Sequence, residues 1–288
     1  MKKLLTLIMT AILGVACVFG MTACGKKEES KTLKVYSEYE LTSEKYAFAI
    51  NKENTSLKTT VDDMLNEMTE NGKLDTLINS YFDGTATFTY TNPVSDVPTD
   101  HNTYFIVATN AYFPPFEYYE GSALAGVDIE IASLIAKKLN KTLYVIDEEF
   151  KSLISSVQKN KADIAMAGMT VTETRKEQVD FSVEYYESAQ VLMVLDGDKT
   201  FADCKSADDI VEVLKKQDTS FIVGTQNGTT GYMYSFGDED FGYDGFKNLT
   251  TNGYKAGALA AKDLQNGKIN AVIIDKQPAM MIAKSLNG

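Results

Sequence analysis

Arginine, histidine, tryptophan and cysteine are scarce in this chain of 288 residues. It contains one arginine (Arg175), one histidine (His101), three cysteines and no tryptophan. A histidine triad or histidine zinc site is not expected, because such sites need a histidine fixed by packed partners and His101 stands among polar residues. Two of the cysteines lie in the first 24 residues, so only Cys204 remains for the body of the protein. We therefore expect no disulfide, no metal, no cofactor and no catalytic residue.

Positive charge is also in deficit. There are 40 acidic against 28 basic side chains, which gives a formal net charge of −12. Nucleic acid is not expected as a partner, because affinity for phosphates depends on lysine and arginine displacing counterions. The hydrophobic fraction of 44% is enough for one large core or two of ordinary size, and we expect two lobes.

The N-terminus has the pattern of a processing signal. Two lysines precede an almost uncharged apolar run over residues 4–21, which leads into the sequence MTAC ending at Cys24. This pattern is typical of a bacterial lipobox, although an uncleaved signal anchor is the alternative, since the run is nearly long enough to span a bilayer. We expect residues 1–23 to be a signal peptide, Cys24 to be lipidated, and residues 24–32 to be a tether on the outer face of the cytoplasmic membrane.

Alternating apolar and amphipathic segments after residue 104 indicate α/β layers. The first unit is predicted as strand 104–109, helix 126–140, helix 150–159 and strand 162–168. The second unit follows a predicted hinge strand and contains strand 220–225, a helix from residue 229, helix 259–266, strand 271–275 and helix 277–286. The hinge strand is placed at residues 191–195.

An N-terminal block precedes these units. It is predicted to contain strands 33–36 and 46–50 and helices 58–69 and 74–81. Residues 84–103 are rich in threonine, proline, aspartate and asparagine, a composition typical of an exposed linker.

Five motifs in order resemble those of the type II periplasmic binding proteins for polar amino acids, family 3 of the solute-binding proteins. They are ATNAYFPPFEYY (108–119), the helix at 126–139, AMAGMTVTETRKEQVDFS (165–182), GTQNGTTG (224–231) and LQNGKINAVIID (264–275). The resemblance implies an α/β fold of two Rossmann-like lobes joined by a hinge, which captures an amino acid and delivers it to the permease of an ABC importer. It also implies a monomer.

The order of the chain departs from this family. The family continues beyond the position of Asp275 with a segment that returns to the first lobe, whereas residues 33–83 resemble that segment at the front of this chain. We interpret this as a circular permutation, with residues 84–103 joining the usual termini. Lobe 1 would then comprise residues 46–189, and lobe 2 residues 33–45 and 190–288. The alternative is an unrelated N-terminal domain before a truncated binding protein.

Arg175 is the candidate for holding the ligand carboxylate, because arginine offers a planar, bidentate fork of donors. The resemblance adds Thr170, near Gly168, and Thr230 as further carboxylate contacts, and Asp275 as the acceptor for the α-ammonium. Each residue also has a purely structural interpretation. Arg175 would be a surface arginine, Thr170 and Thr230 would cap helices, and Asp275 would cap the helix that follows it.

The remaining candidates would surround the ligand side chain. By resemblance, Phe113 and Phe150 sandwich it, while Asn110, Ala167 and Gln226 line its far end; in isolation the aromatic residues would more often be core. Because Asn110 and Gln226 are neutral, we expect an uncharged polar amino acid such as glutamine rather than arginine or lysine. Glu117 is interpreted as structural.

Two other functions use related architectures. One is an enzyme on the same scaffold, similar to a dehydratase, and the other is the sensing module of a receptor. The first needs an activated nucleophile or base, and the second a further membrane segment and signalling domain. Neither feature is visible in the sequence.

Overall fold

The computed structural model describes residues 31–239 and 241–288, and the expected signal peptide, Cys24 and most of the tether lie outside these residues. The strands, in chain order, are β1 (Leu33–Val35), β2 (Glu44–Tyr46), β3 (Ala49–Ile50), β4 (Tyr104–Thr109), β5 (Tyr112–Phe113), β6 (Glu117–Glu120), β7 (Ala123–Ala125), β8 (Thr142–Asp147), β9 (Ile164–Ala165), β10 (Asp180–Phe181), β11 (Tyr186–Ser188), β12 (Gln190–Leu195), β13 (Ile222–Gln226), β14 (Thr250–Tyr254) and β15 (Ala271–Asp275).

The helices alternate with these strands. They are α1 (Thr55–Glu70), α2 (Lys73–Phe82), α3 (Val127–Lys138), α4 (Leu153–Gln158), preceded by the 3₁₀ turn Phe150–Ser152, α5 (Glu173–Gln178), α6 (Ala207–Lys215), α7 (Thr230–Phe236), α8 (Gly257–Gln265) and α9 (Lys276–Asn287). The sequence prediction gave no range for several of these elements, namely the strands β5, β6, β7, β8, β10, β11 and β14 and the helices α5 and α6.

Two five-stranded sheets organise the molecule into two lobes. The sheet of lobe 1 has the order β10-β3-β9-β4-β8, and that of lobe 2 has the order β1-β12-β15-β13-β14. The predicted α/β class with two lobes is confirmed by this arrangement. Parallel pairs such as β4 with β9 and β13 with β15 lie inside the two sheets, so their strands are buried on both faces.

The chain passes between the two sheets twice, through a separate two-stranded sheet. Strand β2 leads from β1 to β3, and β11 leads from β10 to β12; the two pair antiparallel with Tyr186 opposite Tyr46 and Ser188 opposite Glu44. This pair forms the hinge. The predicted hinge strand at residues 191–195 was wrong, because β12 pairs along its length with β1 and β15 inside the sheet of lobe 2.

Helix α1 shows how the sequence defines its elements. Its apolar side chains recur at Leu57, Val61, Leu65 and Met68, one face of a helix, and all are buried. The helix begins where the side chain of Asn54 accepts a hydrogen bond from the backbone N–H of Leu57 at 3.2 Å. This face packs on lobe 1 and contributes to its core.

The N-terminal block is divided between both lobes. Strand β1 lies at the edge of the lobe 2 sheet, whereas β3 lies inside the lobe 1 sheet between β9 and β10. Helix α2 packs against α3, and the Tyr81 hydroxyl donates to Glu130 at 2.8 Å. The block therefore completes both sheets and does not form a domain of its own, as a circular permutation requires.

Residues 84–103 follow the surface of lobe 1. The side chain of Asn92 pairs with the backbone of Val145, both donating and accepting at 2.8 Å, and Tyr90 pairs with Leu124 in an isolated bridge. The backbone groups of Val145 in β8 and Leu124 in β7, both at sheet edges, are thereby hydrogen-bonded as they would be to an added strand.

The interpretation as a circular permutation predicts that moving the N-terminal block to the C-terminus leaves the fold intact. Asn287 accepts from the Leu33 N–H at 2.8 Å and donates to its carbonyl at 2.9 Å, so residue 288 can be joined to residue 31 with little rearrangement. A chain running 103–288 and then 31–83 is expected to unfold cooperatively, with a free energy of unfolding lower by about 2 kcal/mol because the Asn92 bonds are lost.

Circular dichroism and urea unfolding would measure this. The control is residues 103–288 alone, which should not fold because that chain lacks β1, β3 and two core helices. A reordered chain that is as unfolded as this control would contradict the permutation.

Candidate ligand-binding site

A narrow cavity lies between the lobes beside the hinge, and the space free of protein atoms in it and at its opening to solvent is about 290 Å³. All ten residues proposed from the sequence line it, together with Glu117 and Thr229. The ten are Asn110, Phe113, Phe150, Ala167, Gly168, Thr170, Arg175, Gln226, Thr230 and Asp275.

Arg175 is a buried cation at the wall of the cavity, 5% exposed, in the short helix α5. The hydroxyl of Thr172 caps this helix by accepting from the Arg175 N–H at 3.1 Å. One guanidinium nitrogen donates to the Thr170 carbonyl at 2.6 Å and the other to the Gly228 carbonyl of lobe 2 at 3.0 Å. Burial lowers the pKa of Arg175 to about 10, so the side chain stays charged at neutral pH. Since a guanidinium has five N–H donors, it retains donors for an anion.

The hydroxyls of Thr170 and Thr230 both contact Glu44, a residue that the sequence prediction missed. Both donate to the same carboxylate oxygen of Glu44, at 2.7 and 2.6 Å. Each hydroxyl has a single proton, so neither donates to the cavity in this arrangement. The backbone N–H of Thr230, at the start of α7, is the donor that this residue can offer directly to an anion.

Asp275 ends the central strand β15 and is 4% exposed. The hydroxyl of Tyr46, on the hinge strand β2, donates to it at 2.5 Å. Burial, and then the negative charge of Glu44, raise the pKa of Asp275 to about 7. A cation placed beside this carboxylate would favour its ionised form.

Aromatic side chains form the walls around the rest of the cavity. The guanidinium of Arg175 lies 5.4 Å from the ring centre of Phe150. Gly168 has a φ of 51°, and a Cβ there would come within 2.8 Å of the Phe113 ring and 3.3 Å of Tyr46. Glycine at this position therefore allows Phe113 to approach the backbone beside Ala167.

Asn110 and Gln226 meet across the two lobes. The Gln226 amide donates to the Asn110 side-chain oxygen at 2.9 Å, and Asn110 donates to the Glu148 carbonyl at 2.8 Å. Gln226 also accepts from the Gly257 N–H at 3.2 Å. Both amides thus hold each other in place, and this contact is made only while the lobes are together.

Glu117 is the second residue whose position the sequence did not reveal. It lines the cavity, is fully buried, and neither of its carboxylate oxygens has a hydrogen-bond partner within the described residues. Burial first, and the nearby Asp128 second, raise the pKa of Glu117 well above its usual range. Asp128 is itself buried, and accepts from the Gly168 N–H at 2.9 Å and the Tyr185 hydroxyl at 2.7 Å.

These groups suit the recognition of a small ion with charges of both signs. Arg175 can bind an anionic group and Asp275 a cationic one. Glu117 can bind a second cationic group or accept a hydrogen bond from the ligand. Among residues 31–239 and 241–288 no cluster of three or more histidine, cysteine, aspartate or glutamate side chains is arranged to hold a metal ion.

Residues 105–235 match the family model of the bacterial extracellular solute-binding proteins, family 3. The arginine-binding periplasmic protein of Mannheimia haemolytica is 30% identical over 184 residues, 64% of this chain and 68% of that protein. A putative ABC transporter arginine-binding protein 2 of Escherichia coli is 32% identical over 58% of this chain and 61% of its own length.

Solved structures agree with the sequence comparison. An ancestral arginine-binding protein bound to arginine is 33% identical, with a TM-score of 0.53 over 63% of this chain and 74% of that one. The same kind of ancestral protein bound to glutamine has a TM-score of 0.52 at 32% identity, covering 63% and 73% of the two chains.

A two-lobed α/β fold closing on one cavity defines a class of ligand-capturing proteins. The chain belongs to family 3 of the bacterial extracellular solute-binding proteins. It matches about two thirds or less of the length of the curated relatives described above, from 61% to 68%.

Proposed function

We propose that the protein captures a free amino acid outside the cytoplasm and delivers it to an ABC importer. The observation that carries this proposal is the pairing of buried Arg175 and buried Asp275 on one cavity. An α-amino acid carries a carboxylate and an ammonium on one carbon, so a site that reads it needs donors and an acidic acceptor close together. Two relatives of Escherichia coli are named as arginine-binding proteins of ABC transporters, which supports the same role.

We propose arginine as the preferred ligand, which revises the expectation of an uncharged side chain. A carboxylate without a partner in a buried cavity is costly, and a guanidinium would provide both charge and hydrogen bonds for Glu117. Several relatives are named as arginine-binding proteins. Glutamine is the competitor to test, because one similar structure holds it.

Capture would proceed by closure about the hinge formed by β2 and β11. The ligand stabilises the closed form through contacts that it makes only when both lobes surround it. Contacts between the lobes already define such a state: Arg175 with Gly228, Asn110 with Gln226, and the ion pair of Lys255 with Glu149 at 3.1 Å. The ion pair is exposed and contributes little.

We propose binding and not catalysis. The relatives are named as binding proteins, although one similar structure is an ancestral amino-acid-binding protein described as a precursor of cyclohexadienyl dehydratase. Burial accounts for the raised pKa values of Glu117 and Asp275, and the two cationic groups of the ligand would favour the ionised form of both carboxyls.

Anchoring to the outer face of the membrane through Cys24 is part of the proposal. It rests on the lipobox pattern of residues 21–24. The mass of membrane-extracted protein should show cleavage before Cys24 and a lipid adduct. A chain that retains Met1 would contradict this.

Isothermal titration calorimetry with the twenty amino acids tests the function. Arginine is expected to bind most tightly, lysine and glutamine more weakly, and glutamate least, because its second carboxylate would face Glu117. The absence of binding by any amino acid would overturn capture, and tighter binding of glutamine than arginine would overturn the ligand choice.

A further inference from the structure

Glu44 connects the two lobes through a single oxygen atom. Its Oε2 accepts hydrogen bonds from the hydroxyl of Thr170 in lobe 1 at 2.7 Å and of Thr230 in lobe 2 at 2.6 Å. The residue lies on the hinge strand β2 and is 3% exposed. It does not line the cavity, so it stands behind the two threonines.

The other contacts of Glu44 fix its carboxylate to the hinge. The hydroxyl of Thr42 donates to Oε1 at 2.8 Å, and the same hydroxyl accepts from the Gln190 N–H at 2.9 Å. The Gln190 amide in turn donates to the Thr230 hydroxyl at 3.0 Å. Three hydroxyl donors therefore surround a buried carboxylate, and charge-assisted hydrogen bonds of this type are stronger than neutral ones.

Opening of the lobes must break part of this network. Thr170 and Thr230 belong to different lobes, so when they separate one carboxylate oxygen can keep only one of them. The bonds of Glu44 are thus fully formed in the closed state alone. A group with this difference between two states biases the equilibrium toward the one that it contacts more.

We propose that Glu44 is a positioning residue that stabilises the closed state and sets Thr170 and Thr230 at the ligand's α-carboxylate end of the cavity. The role rests on the proposed function of amino acid capture. Glu44 is also close enough to Arg175 and Asp275 for its negative charge to favour the ionised guanidinium and to raise the pKa of Asp275.

Two substitutions separate the hydrogen bonds of Glu44 from its charge. Glu44→Ala removes both, whereas Glu44→Gln has nearly the same shape and keeps an oxygen that can accept from both threonines without charge assistance. Glu187→Gln is the matched control, because Glu187 lies on the other hinge strand, carries the same charge and is exposed.

Arginine binding is measured by calorimetry, and the opening of the ligand-free protein by small-angle X-ray scattering. Glu44→Ala is expected to weaken arginine binding at least tenfold and to increase the radius of gyration without ligand. Glu44→Gln should fall between this variant and the wild type, and Glu187→Gln should match the wild type. The higher arginine affinity of Glu44→Gln than of Glu44→Ala would be a partial rescue by the conservative variant. A general loss of stability would not produce it.

Arginine binding by both Glu44 variants within threefold of the wild type would overturn the proposal, even if both melt at lower temperature. A wild-type protein that binds no amino acid would instead refute the proposed function. In that case the scattering of the ligand-free chains still decides: an unchanged radius of gyration in Glu44→Ala would reject the role of Glu44.

Discussion

Replacement of Arg175 by alanine is expected to abolish measurable amino acid binding. Removing one partner of a buried, hydrogen-bonded charge pair costs about 2–5 kcal/mol, which corresponds to a loss of affinity of roughly 30- to 5000-fold. The loss should lie at the upper end, because Arg175 also donates to the Gly228 carbonyl of the other lobe and so contributes to closure.

Two variants control this experiment. Arg175→Lys keeps the positive charge but not the planar fork, and should recover only a small part of the affinity. Lys176→Ala removes the neighbouring charge, whose side chain is half exposed and paired with Glu173, and should bind as the wild type does. Titration of each purified variant with arginine measures the effect, and an alanine variant within threefold of the wild type would contradict the assignment of the carboxylate site.

The parts of the site that the sequence predicted share one property: their chemistry is visible in a local pattern. Arg175 is the one arginine of the chain and follows a threonine that caps a helix. Asp275 ends an apolar run, where α/β sheets place residues that face ligands. The resemblance to family motifs supplied the remaining candidates, and the structure brings all of them to one cavity.

Glu44 could not be predicted in this way. Its threonine partners are 126 and 186 residues away in the chain, and its own neighbours, serine and lysine, are typical of an exposed turn. The carboxylate of Glu44 is buried because its hinge strand lies against both lobes. A strand of three residues has too few positions to show the alternation of apolar and polar side chains by which a half-buried strand is predicted.

The position of the hinge was wrong for a related reason. Residues 191–195 are continuously apolar, which is the pattern of any strand buried on both faces, whether in a sheet or between sheets. The true hinge strands, β2 and β11, are partly polar and short. Their role depends on which sheets lie before and after them, which is a property of the topology and not of their composition.

Glu117 is the residue that makes the proposed ligand differ from the uncharged amino acid expected from the sequence. Asn110 and Gln226 are uncharged and bond to each other across the lobes, so part of their hydrogen-bonding capacity is already used. The acidic group stands seven residues beyond Asn110 in the same motif, on a strand whose next two side chains, Tyr118 and Tyr119, are progressively more exposed. Strand β6 turns Glu117 inward, so its carboxyl lines that end of the cavity.

Replacement of Glu117 by glutamine is therefore expected to change the preference of the protein. Arginine should bind at least 30-fold more weakly, because its guanidinium loses a buried counter-charge worth about 2–5 kcal/mol. Glutamine carries no side-chain charge, and its affinity should stay within threefold of the wild type. Glu120→Gln is the matched control, since Glu120 lies on the same strand but is exposed.

Proton release gives this prediction a second, independent readout. In the ligand-free protein burial raises the pKa of the Glu117 carboxyl well above its usual range, and a bound guanidinium favours the ionised form. Arginine binding to the wild type should then release more protons than glutamine binding, and its affinity should rise with pH relative to that of glutamine. The release of a proton through Asp275 is common to both ligands, because both carry an α-ammonium.

Calorimetry in buffers of different ionisation enthalpy measures the difference in proton release between arginine and glutamine, which should vanish in Glu117→Gln. Equal proton release for the two ligands in the wild type, with arginine affinity unchanged in the variant, would show that the guanidinium is read by other groups.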